Sequence, residues 1–380
     1  MNFALSDDLT LLKRSIREFV ERELWPVAEE VERSDEIPDR TLLAMKEMGL
    51  FGLPFETRYG GAGVGELGYC LALEELGRAN ACFSNVLGAH CSIGAMAMAI
   101  DGSEELKARY LPELCAGDKL ACFALSEPDA GSDAANITTM ARSDGDRYFL
   151  RGVKHYITGA DLADFAVVFA VTDKQLRARG GITAFWVDLN APGVSRGKKV
   201  EKMGLRGSHI CELIFEDAGV PLDHIIGKVG AGFVTAMKTL DRGRLALGAG
   251  CVGSSQFLLE RAVAHAKERV QFGKPIAQQQ AVQFMIADMA TDIYAARNMV
   301  YHAAWKADRG DRFSVEAAMV KRFCSDMAIA VADRVLQIFG GMGFMKEAGI
   351  ERAYRDARIL AIYEGTNEIQ RVIIAEQLLR

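Results

Sequence analysis

No Cys-x-x-Cys pair occurs among the eight cysteines of this 380-residue chain, which stand alone at positions 70, 82, 91, 115, 122, 211, 251 and 324. Without paired spacing they read as reduced, buried thiols rather than a disulfide framework or a zinc site. The six histidines are equally scattered, and no His-Glu-x-x-His occurs, so no metal centre is expected. Lysine and arginine are dispersed, and 45 basic against 51 acidic residues leave a net charge of -6. That balance argues against a nucleic acid as partner, because phosphate binding needs clustered cations. No run of 18 apolar residues appears. The N-terminus, Met1-Asn2-Phe3-Ala4-Leu5-Ser6-Asp7-Asp8, lacks the cationic and apolar regions of a signal peptide. The expectation is a cytoplasmic protein, or a mitochondrial matrix one if the chain is a processed eukaryotic product, without membrane insertion.

What the chain does have is apolar material, 50% of its residues, over a length that calls for two or three packed subdomains. Up to about Gly117 the pattern is helical and punctuated. Ser6 is placed to cap a first helix, Pro38 to open another that Gly49 closes, and Ser103 to cap residues 104–114. Gly63-Val64-Gly65-Glu66-Leu67-Gly68 matches a dinucleotide fingerprint in form only: no apolar strand precedes it and Gly88 stands near the expected acid, so it reads as a glycine-rich loop entering a helix. From about Ala121 the period becomes strand-like, with runs at 148–150, 155–158, 165–171, 182–187 and 212–215, a hairpin signal at Ser143-Asp144-Gly145-Asp146 and a turn at Asn190-Ala191-Pro192-Gly193. The strands are not interleaved with helices, so a doubly wound parallel sheet is not expected. After Gly232 come three long helices, 233 to about 270, 279–308, and 314–338 capped by Ser314, which predict a bundle. The reading is mainly α with a central β domain: a helical domain over 1–120, a β domain over 121–228 and a helical bundle over 229–380.

Near the C-terminus, Tyr363-Glu364-Gly365-Thr366 places an acid after the apolar stretch 359–363 and before a helix that Thr366 is suited to cap. The apolar residues Ile369, Val372, Ile373, Leu378 and Leu379 of that helix fall largely on one face. An acid at a helix N-terminus is often only a surface carboxylate in a favourable field. In an apolar cleft, desolvation would instead raise its pKa towards that of a working base.

Five stretches taken together resemble the acyl-CoA dehydrogenase family over essentially the whole chain: Phe123-Ala124-Leu125-Ser126-Glu127-Pro128-Asp129-Ala130-Gly131-Ser132-Asp133, Lys154-His155-Tyr156-Ile157-Thr158-Gly159, Arg269-Val270-Gln271-Phe272-Gly273-Lys274-Pro275, Gln337-Ile338-Phe339-Gly340-Gly341, and the stretch around Glu364. The resemblance implies an N-terminal helical domain, a middle β-barrel-like domain and a C-terminal four-helix bundle. It also implies FAD-dependent conversion of a saturated acyl-CoA to the trans-2-enoyl-CoA, with Glu364 as the α-proton base, hydride passing to flavin N5, and electrons passing on to an electron-transferring flavoprotein. The enolate-like oxygen would be met by the Glu364 N-H and the flavin ribityl 2'-hydroxyl. Some relatives carry the base at the position of Gly243, which here has no side chain.

The same resemblance assigns cofactor contacts to Phe123, Leu125, Ser126, Gly131, Ser132, Tyr156, Ile157, Thr158, Arg269, Gln271, Phe272, Gln279, Gln280, Gln337, Phe339, Gly340, Gly341, Thr366 and Glu368. Arg269, Gln271, Phe272 and the 337–341 stretch would serve the adenine and pyrophosphate across a subunit interface, so a homotetramer is expected. Substrate contacts fall on Ser132, Asp241, Arg244, Tyr363 and Gly365. Read singly, Asp241 with Arg244 is an i,i+3 surface pair and Arg269 a solvated helix-end cation. A short to medium acyl chain is favoured. The alternatives are an acyl-CoA oxidase and, in a different class, a DNA-associated flavoprotein of the same fold with vestigial activity.

Overall fold

A computed structural model describes residues 4–379, so Met1, Asn2, Phe3 and Arg380 of the expected terminal domains lie outside the described residues. The N-terminal part is helical: α1 (Asp7–Phe19), α2 (Ala28–Ser34), α3 (Asp39–Glu47), α4 (Gly65–Leu76), α5 (Ala81–Leu87), α6 (Ala95–Asp101) and α7 (Glu104–Ala116). Ser6 and Ser103 cap α1 and α7 through their hydroxyls, and Gly49 follows α3 with φ 71°. The glycine-rich loop feeds α4.

Between α5 and α6 the helix widens into a π-helical stretch, Gly88–Gly94. The continuous segment Ala81–Asp101 is long and apolar enough to cross a membrane by length and composition. The sequence concealed this because Ser84, Asn85, His90 and Ser92 interrupt the apolar run. About two thirds (67%) of its most apolar window is buried within the fold, where it packs as a core helix.

Eight strands follow: β1 (Ala121–Ala124), β2 (Met140–Ser143), β3 (Arg147–Thr158), β4 (Phe165–Val171), β5 (Ile182–Asp188), β6 (Val194–Arg196), β7 (Ile210–Pro221) and β8 (Ile225–Ile226). They form one sheet in the order β6-β7-β3-β2-β4-β5-β8, with β1 running parallel along β4. The runs at 148–150 and 155–158 are one strand, not two: β3 pairs with β7 on both sides of Gly152, and a bulge between Lys154 and Ile157 accommodates Tyr156 at φ 56°. Alternation sorts the sheet's side chains into two layers. Cys122, Ala124, Ala166, Val168, Phe185, Leu213 and Phe215 pack inside the curled sheet. Ala121, Val167, Phe169, Ala184 and Trp186 join the core shared with the helices.

The C-terminal part contains α8 (Gly232–Glu268), α9 (Gln280–Asp308), α10 (Ser314–Phe339), α11 (Gly341–Phe344), α12 (Ile350–Ala357) and α13 (Asn367–Leu378). A short hairpin, β9 (Val270–Gln271) with β10 (Lys274–Pro275), separates α8 from α9. Ser314 is the first residue of α10 and Phe313 holds the cap position, while the Ser314 hydroxyl lies near Asp241 and favours its charged form. The apolar face expected of α13 is only partly covered: Ile369 and Ile373 are half-buried, while Val372, Leu378 and Leu379 are exposed.

Candidate active site

Glu364 sits where the chain turns left-handed twice, at φ 57° for Glu364 and 88° for Gly365. A non-glycine residue held there costs on the order of 1–3 kcal/mol, and such strain persists where the surroundings over-determine the backbone. Here Gln370 Nε2 donates to the carbonyls of Glu364 (3.3 Å) and Gly365 (3.0 Å), and Arg244 Nε to that of Glu364 (3.4 Å). A Cβ on Gly365 would stand 2.7 Å from Gln370 Nε2, so the clamp needs a glycine.

The carboxylate points inward. Its Oε2 is buried and has no hydrogen-bond partner among the described residues, and it lies against Gly243 of α8: a Cβ built there would stand 2.8 Å from Oε2 and 2.7 Å from Ile93 Cγ2. Ile93 belongs to the π-helical stretch, a feature frequent at functional sites. Burial raises the Glu364 carboxyl to about 7, against the opposing pull of Arg244 and Lys321. Part of the residue surface remains solvent-accessible, but the atom that titrates into the cleft does not.

Asp241 and Arg244 are not a surface pair. Both are buried, with Arg244 Nη1 donating to Asp241 Oδ1 at 2.8 Å, because helical spacing puts them on the face of α8 that meets α10 and the 363–365 turn. Tyr363 is partly buried beside them. The sequence reading missed Lys321, which is fully buried on α10 and donates to Asn367 Oδ1 at 2.9 Å. Asn367 in turn meets Ser325 (2.9 Å) and Asp326 (2.7 Å), fastening the start of α13 just beyond Glu364. A signal was available: Lys321 falls in the buried series Ala317, Ala318, Cys324, Ala328, where helical periodicity predicts an apolar residue.

A second wall comes from the sheet. Phe123 and Ser126 are half-buried, Leu125 and Ile157 buried, Thr158 half-buried, and Tyr156 is held outward with 62% of its surface exposed. Gly131 and Ser132 lie exposed on the following loop. This wall adjoins the acid, since a Cβ on Gly94, the residue after Ile93, would stand 2.5 Å from the Ala121 carbonyl at the start of β1. Thr366 caps α13 through Ile369 N (3.3 Å), and Glu368 is exposed.

The remaining candidates lie elsewhere. Arg269, Gln271, Phe272 and Gln280 are exposed and Gln279 half-buried around the hairpin. Phe339 stacks on His265 of α8 at 4.2 Å, with Gln337, Gly340 and Gly341 exposed next to it. At about 1.5 Å per residue, that end of α8 is roughly 39 Å from Gly243 and the acid. One protomer therefore does not bring both groups to one place. Tyr156, Phe272 and Glu364 are three of the seven non-glycine residues with positive φ among the described residues, so backbone strain concentrates on candidate positions. A surface crevice of about 660 Å³ lined by Leu106, Arg109, Leu222 and Val229 shares no residue with these sites. No group of three or more metal-binding side chains occurs among the described residues.

Comparison with known proteins agrees along the whole length. Models of the acyl-CoA dehydrogenase N-terminal, middle and C-terminal domains match residues 6–118, 122–218 and 230–379. The human mitochondrial short-chain specific acyl-CoA dehydrogenase is 42% identical over 370 residues, 97% of this chain and 90% of that protein. Butyryl-CoA dehydrogenase from Megasphaera elsdenii superposes with a TM-score of 0.97 at 40% identity, covering all of both chains. So does a chain from a structure described as the electron transferring flavoprotein of Acidaminococcus fermentans, with a TM-score of 0.97 at 42% identity.

Proposed function

The chain belongs to the acyl-CoA dehydrogenase family, a family of FAD-dependent oxidoreductases, and from that premise we propose that it converts a short- to medium-chain saturated acyl-CoA to the trans-2-enoyl-CoA with Glu364 as base. The observation that carries the reading is the Glu364 Oε2 atom, buried, unpartnered and raised to about 7 by burial. A carboxyl with a pKa near the working pH combines an ionised fraction with useful basicity, which an exposed acid lacks. The Glu364 N-H has no acceptor among the described residues and stays available to a thioester oxygen on which charge develops. Arg244 and Gln370 hold the turn, and Ile93 and Gly243 keep the carboxylate dry.

The β-domain wall fits an isoalloxazine: Phe123 and Tyr156 offer ring surfaces, Ser126 and Thr158 hydroxyls, and Gly131 and Ser132 open backbone. FAD bound there supplies the acceptor for the β hydrogen. The roughly 39 Å between Glu364 and the Arg269 end of α8 supports the assignment of Arg269, Gln271, Phe272 and residues 337–341 to the cofactor of a neighbouring subunit. The bared apolar side chains Phe272, Tyr294, Phe344 and Leu378, 69–94% exposed, support a homotetramer that covers them. That one similar chain comes from a structure described as an electron transferring flavoprotein supports such a protein as electron acceptor, and eight buried free thiols support a reducing, cytoplasmic setting.

Anaerobic bleaching of the flavin by acyl-CoAs from butyryl to palmitoyl, with isobutyryl- and 2-methylbutyryl-CoA, tests the reading. The expected maximum lies between butyryl- and octanoyl-CoA. A maximum at palmitoyl-CoA would overturn the substrate class, rapid peroxide formation in air would point to an oxidase, and no bleaching by any of them would end the proposal.

A further inference from the structure

Two residues inside the β-domain wall have no part in the chemistry above, yet they form its most enclosed ion pair. Lys154 Nζ lies 2.7 Å from Glu127 Oε1, with side chains 0% and 3% exposed. Glu127 is otherwise saturated: Oε1 accepts from Thr139 N (2.9 Å), and Oε2 from Thr138 N (2.6 Å) and Thr138 Oγ1 (2.8 Å). Lys154 spends a further donor on the Leu125 carbonyl (3.1 Å), and the next residue, His155, donates its N-H to the Ser126 carbonyl (2.8 Å).

These contacts join the two stretches expected to face the flavin. They fix the Leu125-Ser126 peptide, and because a trans peptide directs its C=O and N-H oppositely, the Ser126 N-H is turned away from Lys154. It has no acceptor among the described residues. They also anchor the strand one residue before the bulge that holds Tyr156 at φ 56° and 62% exposed. Stability alone does not call for such a pair, since well-packed apolar residues in place of a buried ion pair are often neutral or stabilising. The geometry defined by its directional bonds is what an apolar contact would not supply.

We propose that Glu127 and Lys154 are positioning residues for the flavin, holding the Ser126 N-H and the Tyr156 bulge as one preset surface that favours the reduced ring. An oriented N-H donor that meets N1 or a carbonyl oxygen of the isoalloxazine, where negative charge gathers on reduction, stabilises the reduced ring more than the oxidised one. The inference rests on the reading of residues 123–132 and 156–158 as the flavin wall.

The test uses purified holoprotein carrying Lys154→Met, with Tyr156→Ala as a control on the wall itself, and reads FAD dissociation constants, the visible spectrum and the midpoint potential. Lys154→Met leaves Glu127 its three donors from Thr138 and Thr139. It is expected to bind oxidised FAD several-fold more weakly, and reduced FAD about tenfold more weakly again, which lowers the two-electron potential by about 30 mV. Lys154→Arg, which restores charge and donors, should recover part of the shift. A lowered melting temperature with parental spectrum, affinity and potential would reduce the pair to a structural staple and overturn the proposal. If Tyr156→Ala also leaves FAD binding untouched, the wall reading itself fails. Should Lys154→Met not fold, Glu127→Gln decides by the same measurements: a shifted potential supports the proposal and parental values refute it.

Discussion

Gly243→Ala isolates the contact on which the catalytic reading depends. The added methyl carbon would stand 2.8 Å from Glu364 Oε2, 3.1 Å from its Cδ and 2.7 Å from Ile93 Cγ2. Ordinary contact is about 3.5 Å, so the carboxylate must retreat by roughly 0.7 Å. It can do so cheaply, being the end of a side chain, and the replacement of a mid-helix glycine by alanine returns about 0.5–1 kcal/mol. The fold should therefore be kept, with the thermal midpoint unchanged or slightly raised. The reaction should not be spared: a misplacement approaching 1 Å in a near-attack geometry costs up to about 10²-fold, so flavin reduction by butyryl-CoA in anaerobic stopped-flow should slow by about 10- to 100-fold. FAD content should match the parent. A parental rate would show that the reacting carboxylate does not rest against Gly243, and a lowered midpoint with the rate retained would show that Ile93 and the helices gave way instead. Either result refutes the reasoning.

Glu364→Gln should keep the yellow flavin and acyl-CoA binding while reduction falls by at least the roughly 10²–10⁴-fold expected for loss of a positioned base, and Glu364→Gly with Gly243→Glu should recover part of the rate; a near-parental rate for Glu364→Gln would remove the residue from the mechanism. With the Glu364 carboxyl at about 7, the folded state retains a proton that the unfolded chain has lost between about pH 4.5 and 7, so this group makes the protein less stable as pH rises through that window. Melting curves should accordingly place Glu364→Gln above the parent at pH 8, with the gap closing by pH 5. His209 works in the opposite sense: its ring nitrogens meet Asp161 Oδ2 (2.6 Å) and the Asp35 carbonyl (2.5 Å), with Glu36 and Lys199 alongside, and the Asp161 bond raises its pKa. Its stabilisation is present below the usual histidine value and is lost as pH rises through the higher folded one, so His209→Gln should lower the melting temperature more at pH 6 than at pH 9. Phe272→Ser, at a side chain 94% exposed in the protomer, should shift sedimentation towards smaller species and lower FAD retention; an unchanged sedimentation coefficient would place the interface elsewhere.

Elements whose signal is local were legible in the chain itself. Ser6, Ser103 and Thr366 cap because a short hydroxyl before a helix satisfies N-H groups three residues on, and the change from helical to alternating period near Ala121 marks the sheet. The ordered motifs pointed to the family, and the apolar run into Glu364 to a desolvated acid. Where residues are set by partners far along the chain, local pattern failed: Ser314 looked like a cap but serves Asp241, the two halves of β3 looked separate because Gly152 interrupts the alternation, and Asp241 with Arg244 looked solvated. Burial depends on what lies opposite, and nothing near Asp241 in the chain announces α10. Only the folded molecule set Ile93 and Gly243 against the Glu364 carboxylate, closed Lys154 on Glu127 across 27 residues, and left Val372, Leu378 and Leu379 of α13 exposed. The residue types that carry the chemistry are a property of the sequence. Their desolvation, and hence the pKa near 7 that makes Glu364 a base, arises only where three separate parts of the chain exclude water together.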